Sequence, residues 1–135
     1  MLPYDSVKRI IVEETERSRM TQFSAPGGIK YPYVILPLES RMTPNYRNAA
    51  VSGLIYMLEK ELAEATVVAL PEAKAFLLEG VATGAGIPTA HIRKRDYNVP
   101  EQIVVEQKKA YGRGDRMFCV GLRSDDRVLL LDDMI

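Results

Sequence analysis

The chain is 135 residues long, 47% hydrophobic and 27% charged, with 18 basic side chains against 18 acidic ones and one cysteine. That length fits a single domain hiding roughly two-thirds of its unfolded surface; the charge balance excludes a global attraction to nucleic acid or anionic membrane, and the lone Cys119 excludes an internal disulfide. No apolar stretch approaches the ~20 residues that span a bilayer, and the opening MLPYDSVKRI lacks an apolar signal core, so the expectation is a soluble cytoplasmic protein.

In chain order, Val7, Ile10 and Ile11 recur at helical spacing among charged neighbours, with Asp5 or Ser6 available as N-cap, and predict a short amphipathic helix. SAPGG at Ser24 to Gly28 breaks it. YPYVILPLES reads as an extended segment, because Pro32 and Pro37 forbid a helix and confine pairing to an edge or a strand end. A second helix is expected from about Tyr46, with Val51, Leu54, Ile55, Leu58 and Leu62 as its apolar stripe.

From Thr66 the pattern changes. TVVAL is a short β-branched strand, Ala75 to Thr83 a helix ending at Gly84 and Gly86, and PTAHIRK another strand, which makes a βαβ unit with neighbouring parallel strands. IVVEQ and RMFCVGL follow as hairpin-like strands around the glycine-containing turn AYGRGD. RVLLLDD is the last strand, and its unbroken apolar run suits the centre of a parallel sheet covered on both faces.

Ligands of open α/β sheets bind outside the carboxyl ends of the parallel strands. Three strands end there in polar groups: TVVAL runs into Pro71, Glu72, Ala73 and Lys74, TAHI into Arg93, Lys94 and Arg95, and RVLLL into Asp132 and Asp133. Cations hold phosphates, whereas carboxylates accept hydrogen bonds from hydroxyls or hold Mg²⁺. The combination suits a ligand carrying both phosphate and hydroxyl groups.

VVALPEAKAFLLEGVATGAGIPTAHIRKRDYNVP, then QKKAYG, then DRVLLLDDMI, resembles the type I phosphoribosyltransferases, and most closely their purine-salvage members of archaeal type. The likeness covers Thr66 to Ile135 and rests on the order and spacing of its parts. It implies an α/β fold with a central, mainly parallel sheet flanked by helices, an N-terminal hood over the base and a flexible hairpin flap. The expected organisation is one domain, with residues 1–45 as part of the hood and 46–135 as the core. The resemblance makes Asp132 and Asp133 the acids that hold the ribose hydroxyls of phosphoribosyl pyrophosphate, with Mg²⁺ reached indirectly through ribose or water. It puts Glu72, Ala73 and Lys74 in the pyrophosphate loop, Arg93 and Lys94 in a second pyrophosphate contact, and Tyr111 in the flap that closes on the reacting centre. The implied partners are phosphoribosyl pyrophosphate and a purine base, with hypoxanthine or guanine favoured and adenine next, and the implied assembly is a homodimer.

One departure stands out. Relatives follow the paired acids with a Thr/Gly-rich loop that cradles the 5-phosphate, and this sequence ends before it. The expectation is a longer natural protein, the alternative being a truncated homologue impaired in substrate binding.

Other readings compete. The acid pair alone is an ordinary polar strand exit, and Lys74 alone a solvated lysine, although a cation in a first helical turn opposes the helix dipole and so favours a bound anion. His91 receives no role, Cys119 is expected in the core, and Lys108 and Lys109 on the flap surface. A regulator sensing phosphoribosyl pyrophosphate or a purine and binding nucleic acid is suggested by the basic density of Arg93 to Arg95, Lys108, Lys109, Arg113 and Arg116; the zero net charge and the lack of a helix-turn-helix oppose it. An orotate phosphoribosyltransferase would share the acid pair.

Overall fold

The computed structural model describes residues 1–17, 21–24, 30–35, 43–72, 75, 78–108 and 115–132. Among them two compact units are present, one within residues 1–56 and one within residues 57–135.

The first unit holds α1 (Tyr4–Arg17), β1 (Thr21–Ser24), β2 (Lys30–Ile35) and most of α2 (Pro44–Met57). Helix α1 starts earlier than the expected Asp5 or Ser6 cap, since Val7 N–H already donates to Pro3 C=O at 3.0 Å. Asp5 instead lies in the first turn, where a carboxylate complements the helix dipole. Helix α2 begins with Pro44, whose missing N–H costs nothing at that position, and Thr43 Oγ1 caps it by accepting from Tyr46 N–H at 3.2 Å.

The expected leucine and valine stripe of α2 is not its most buried face. Ala49 and Ser52 are buried instead, because α1 and α2 approach closely and only small residues fit between them. A Cβ at Gly53 would lie 3.2 Å from Val7 Cγ1, and Val7 is 2% exposed. Ser52 Oγ accepts from Leu2 N–H at 3.1 Å, and Tyr56 Oη donates to Leu2 C=O at 2.9 Å, so the segment before α1 is tied to α2 through both of its polar groups. Strand β2 pairs antiparallel with β1, a strand not expected from the sequence; Pro32 is tolerated there because a two-stranded sheet consists only of edges.

The second unit opens with α3 (Glu59–Glu64), separated from α2 by Leu58, which leaves helical geometry with φ −108° and ψ 20°. The continuous helix expected through Leu62 is thus two helices. The sheet follows with β3 (Val67–Pro71), β4 (Thr89–Arg93), β5 (Ile103–Gln107), β6 (Asp115–Cys119) and β7 (Val128–Leu130) in the order β5-β6-β4-β3-β7. It is mixed: β4 and β7 flank β3 in parallel, while β6 joins β4 and β5 in antiparallel. Between β3 and β4 runs α4 (Glu79–Ala85). It carries Gly84 inside it rather than at its end, and it stops at Gly86, whose φ of +70° suits a residue without a Cβ.

Val67, Val68, Ala69 and Leu70 are all buried, so β3 is covered on both faces as its run of apolar residues suggests. The central place expected for RVLLL is not seen among the described residues, where β7 ends the strand order, Val128 is 47% and Leu130 59% exposed, and Leu131 is buried just after it. An apolar run reports the character of a strand and not the number of its neighbours; among the described residues only β3 pairs with β7.

At the amino end of the parallel trio, Asp126 ties the chain entering β7 to β3. Its Oδ1 accepts from Thr66 Oγ1 at 2.8 Å and its Oδ2 from Arg123 N–H at 2.7 Å, while Thr66 Oγ1 accepts from Arg127 N–H at 2.9 Å. The Arg123 amide, then Thr66, hold the Asp126 carboxyl below its ordinary value of 3.8. A carboxyl lowered by folding contributes stability that is fully present above the unfolded value and fades as pH falls through the folded one. Asp126→Ala is therefore expected to be less stable than the parent above about pH 5 and to lose that difference towards pH 2, as read by urea unfolding across that range; a gap that does not change with pH would count against the carboxylate.

Candidate active site

Backbone register brings the expected strand ends together. Val68 lies beside Leu129 of β7 and Thr89 of β4, and Pro71 beside Ile92. The ladder continues past the strands, with Leu131 N–H donating to Ala69 C=O at 3.1 Å and Glu72 N–H to Ile92 C=O at 2.8 Å. Extending the β3–β7 register by two residues sets Asp132 next to Pro71, and extending the β3–β4 register by one sets Arg93 next to Glu72. A carboxylate, a second carboxylate and a guanidinium thus lie at the carboxyl ends of three successive strands. Asp132 and Arg93 are two strand spacings apart, about 10 Å along the edge.

These positions differ in access. Glu72 and Arg93 are half-buried, whereas Lys94, Arg95 and Asp132 are exposed. Of the other expected site residues, Ala73, Lys74, Tyr111 and Asp133 lie outside the described residues. Pro71 ends β3 without a donor for the next rung, which lets the chain turn away at Glu72.

The far side of β4 is anchored by Glu79. This carboxylate, in the first turn of α4, accepts from Thr89 Oγ1 at 3.3 Å and lies 3.7 Å from His91 Nε2. His91, given no role from the sequence, therefore helps tie the start of α4 to the strand that ends in Arg93. Cys119 is buried against Val67 and Ala90, with Ile92 and Leu122 beside it, and burial pushes its thiol up, away from reactive thiolate; it is a core residue as expected.

The sequence reading overlooked the β4 to β5 connection. Asp96, Asn98 and Gln102 form a closed set of hydrogen bonds there, and the Asp-Tyr-Asn run before Val99-Pro100 is the composition from which such a turn could have been read.

Among the described residues no group of three or more His, Cys, Asp or Glu side chains forms a metal cage. Mg²⁺ in phosphate chemistry commonly takes one or two carboxylates and completes its shell from substrate phosphates and water. The exposed Asp132 at the edge is one carboxylate that could serve an ion held in that way.

No family model matches the chain. Over 111 residues it is 32% identical to a hypoxanthine/guanine phosphoribosyltransferase of Ferroglobus placidus, a match covering 78% of this chain and 56% of that protein. The chain thus spans little more than half the length of the curated relatives it matches. In fold it is similar to the adenine phosphoribosyltransferase of Saccharomyces cerevisiae solved with an imino-altritol bisphosphate and adenine, at TM-score 0.69 and 14% identity, covering 97% of this chain and 73% of that one. It is likewise similar to the adenine phosphoribosyltransferase of Thermoanaerobacter pseudethanolicus, at TM-score 0.65 and 20% identity, covering 97% and 70%. Among the described residues no helix is long and apolar enough to cross a membrane. With the βαβ unit and the acid-tipped β7, the chain is similar in sequence to hypoxanthine/guanine phosphoribosyltransferases over a little more than half of their length and similar in fold to adenine phosphoribosyltransferases.

Proposed function

We propose that this chain is the core of a purine phosphoribosyltransferase, which joins a free purine to phosphoribosyl pyrophosphate and releases a nucleoside monophosphate and pyrophosphate. The observation that carries this reading is the alignment of Asp132, Glu72 and Arg93 on one carboxyl edge, with Lys94 following Arg93. In the reaction a purine nitrogen bonds to the anomeric carbon as the carbon–pyrophosphate bond breaks, and the nitrogen gives up its proton. Charge then builds in two places: positive on the ribose ring, negative on the leaving group.

Asp132, with Asp133, accepts hydrogen bonds from the ribose hydroxyls and fixes the ring. Their negative charge also favours an oxocarbenium-like state. Arg93 and Lys94, with Lys74, hold the leaving pyrophosphate, since guanidinium and ammonium groups suit phosphate oxygens. Glu72 and Ala73 belong to the loop that shapes that subsite. Tyr111, between β5 and β6 in sequence, belongs to the flap that excludes water as the bond breaks. Mg²⁺, when bound, neutralises phosphate charge and orients the pyrophosphate as a leaving group.

Hypoxanthine or guanine is favoured over adenine, because the curated relatives bear that name at 32% identity whereas the adenine-specific neighbours share 14 to 20%. Oxo and amino purines differ by a few hydrogen bonds, which a site built to donate or accept them separates strongly. The test is pyrophosphate release by the full-length protein with phosphoribosyl pyrophosphate, Mg²⁺ and each of hypoxanthine, guanine, adenine, xanthine and orotate. Release with an oxopurine is expected. Release with orotate alone would move the chain to another branch of the family, and binding of phosphoribosyl pyrophosphate without turnover on any base would favour the nucleic-acid-binding regulator.

A further inference from the structure

The loop from Lys94 to Gln102 joins the basic end of β4 to the first strand of the β5–β6 hairpin, and its side chains close it on itself. Asp96 Oδ1 accepts from Asn98 N–H at 2.8 Å and from Gln102 Nε2 at 2.7 Å. Gln102 Oε1 in turn accepts from Tyr97 N–H at 3.0 Å. Both ends of the Gln102 amide are used, which fixes its orientation: only the nitrogen can face the carboxylate. Asn98 has φ 53°, the left-handed region that Asn enters more readily than most residues, and Gln102 N–H returns to Val99 C=O at 3.2 Å. The Arg95 guanidinium lies 6.0 Å from the centre of the Tyr97 ring. The Gln102 amide first, then the Asn98 N–H and the charge of Arg116 on β6, hold the Asp96 carboxyl below its ordinary range.

The clasp is exposed: Asp96, Asn98 and Arg95 all face solvent. Exposed hydrogen bonds compete with water and add little to global stability. What they can do is remove freedom from the nine-residue loop before any ligand binds.

We propose that Asp96 and Gln102 are positioning residues: their clasp holds the end of β4, with Arg93 and Lys94, in fixed relation to the β5–β6 hairpin, so that the basic pair is preorganised for a pyrophosphate group. The inference rests on the reading of Arg93 and Lys94 as a pyrophosphate subsite. It assigns neither Asp96 nor Gln102 a contact with substrate.

The experiment uses the full-length protein and the variants Asp96→Ala, Gln102→Ala, their double and Asp96→Asn. Losing one neutral or charge-assisted hydrogen bond's worth of order corresponds to about a 3- to 10-fold loss of affinity. Each alanine variant is therefore expected to raise KM for phosphoribosyl pyrophosphate, and Kd for inorganic pyrophosphate by calorimetry, by about that factor. KM for the base and kcat should stay within about twofold of the parent. The double variant should be no worse than either single one, since one clasp is broken once. Asp96→Asn, which keeps an oxygen facing both donors, should restore parent-like values. A role in stability alone would lower Tm and leave the split between the two KM values unmoved. Parent binding and turnover with unaffected variants, additive losses in the double, or equal rises in both KM values would overturn this inference and leave the reading of the site standing. A parent protein that binds neither phosphoribosyl pyrophosphate nor pyrophosphate would overturn both. Should Asp96→Ala fail to fold, Gln102→Ala and hydrogen exchange at the Tyr97 and Asn98 amides decide the matter, with unchanged protection there overturning the clasp.

Discussion

Asp133→Asn is expected to lower kcat/KM for phosphoribosyl pyrophosphate by about 100-fold, about 2.7 kcal/mol of transition-state stabilisation, while shifting the unfolding midpoint by no more than about 2 °C. The size follows from what an ionised carboxylate offers a vicinal diol. Each oxygen can accept from a hydroxyl, a charged hydrogen bond is worth about 1.5 to 3 kcal/mol, and the negative charge opposes the positive charge growing on the ring. Asparagine is close in shape but has one acceptor, presents a donor where an acceptor is needed, and carries no charge. The small effect on folding follows from the near-identical size and shape of the two side chains. Asp132→Asn should act in the same direction. Steady-state kinetics in phosphoribosyl pyrophosphate at saturating base, beside thermal unfolding, separate the two quantities. Parent-like kinetics in both variants would leave the acid pair as only a strand's polar exit.

Much of the fold could be read from residues whose pattern depends on the chain alone. Val67 to Leu70 are β-branched or aliphatic without interruption and proved to be the strand buried on both faces; Gly86 ends α4 at a positive φ that its composition suggests. What escaped depends on neighbours. RVLLL is as apolar as TVVAL, yet among the described residues it ends the strand order, since adjacency is set by the order of strands and not by the strand itself. The buried face of α2 is Ala49 and Ser52, residues that no hydrophobic stripe reveals, since close helix approach selects for small size over apolarity. The site divides the same way. Asp132, Glu72, Arg93 and Lys94 were legible as polar tips of strands, and register alone brings the first three to one edge. Their roles came through resemblance: cations and carboxylates at strand ends admit many ligands, and only the order of the segments points to a phosphoribosyl group. The Asp96–Gln102 clasp depends on side-chain closure across six residues, for which composition supplies a turn but not a partner.

Leu70→Ala is the substitution expected to cost most in stability. Leu70 is 0% exposed, on the middle strand of the parallel trio and directly beside His91 of β4. Truncation removes three carbon atoms from a site packed on both faces, losing their transfer free energy and leaving a void that β3, held by ladders on both sides, cannot close by moving. Such changes cost about 2 to 5 kcal/mol. A mid-range loss of 3 kcal/mol corresponds to about 10 °C in Tm for a chain of this length, and it is a large share of the roughly 5 to 15 kcal/mol that holds a typical domain together. Leu130→Ala makes the same chemical change on β7, where the side chain is 59% exposed, and should stay within about 0.5 kcal/mol of the parent. Urea unfolding of both variants of the 135-residue chain isolates burial from chemistry. Equal losses would mean that β7 is as covered as β3 and that the edge position assigned to it is wrong. A large gap would fix β3 as the rigid member of the trio, the strand from whose end Glu72 leaves and against which both Asp132 and Arg93 are set in register. The proposed site at that edge would then inherit its geometry from the most deeply buried strand of the sheet, and activity per folded molecule in Leu70→Ala of the full-length protein should remain near the parent value even as the folded fraction falls on warming.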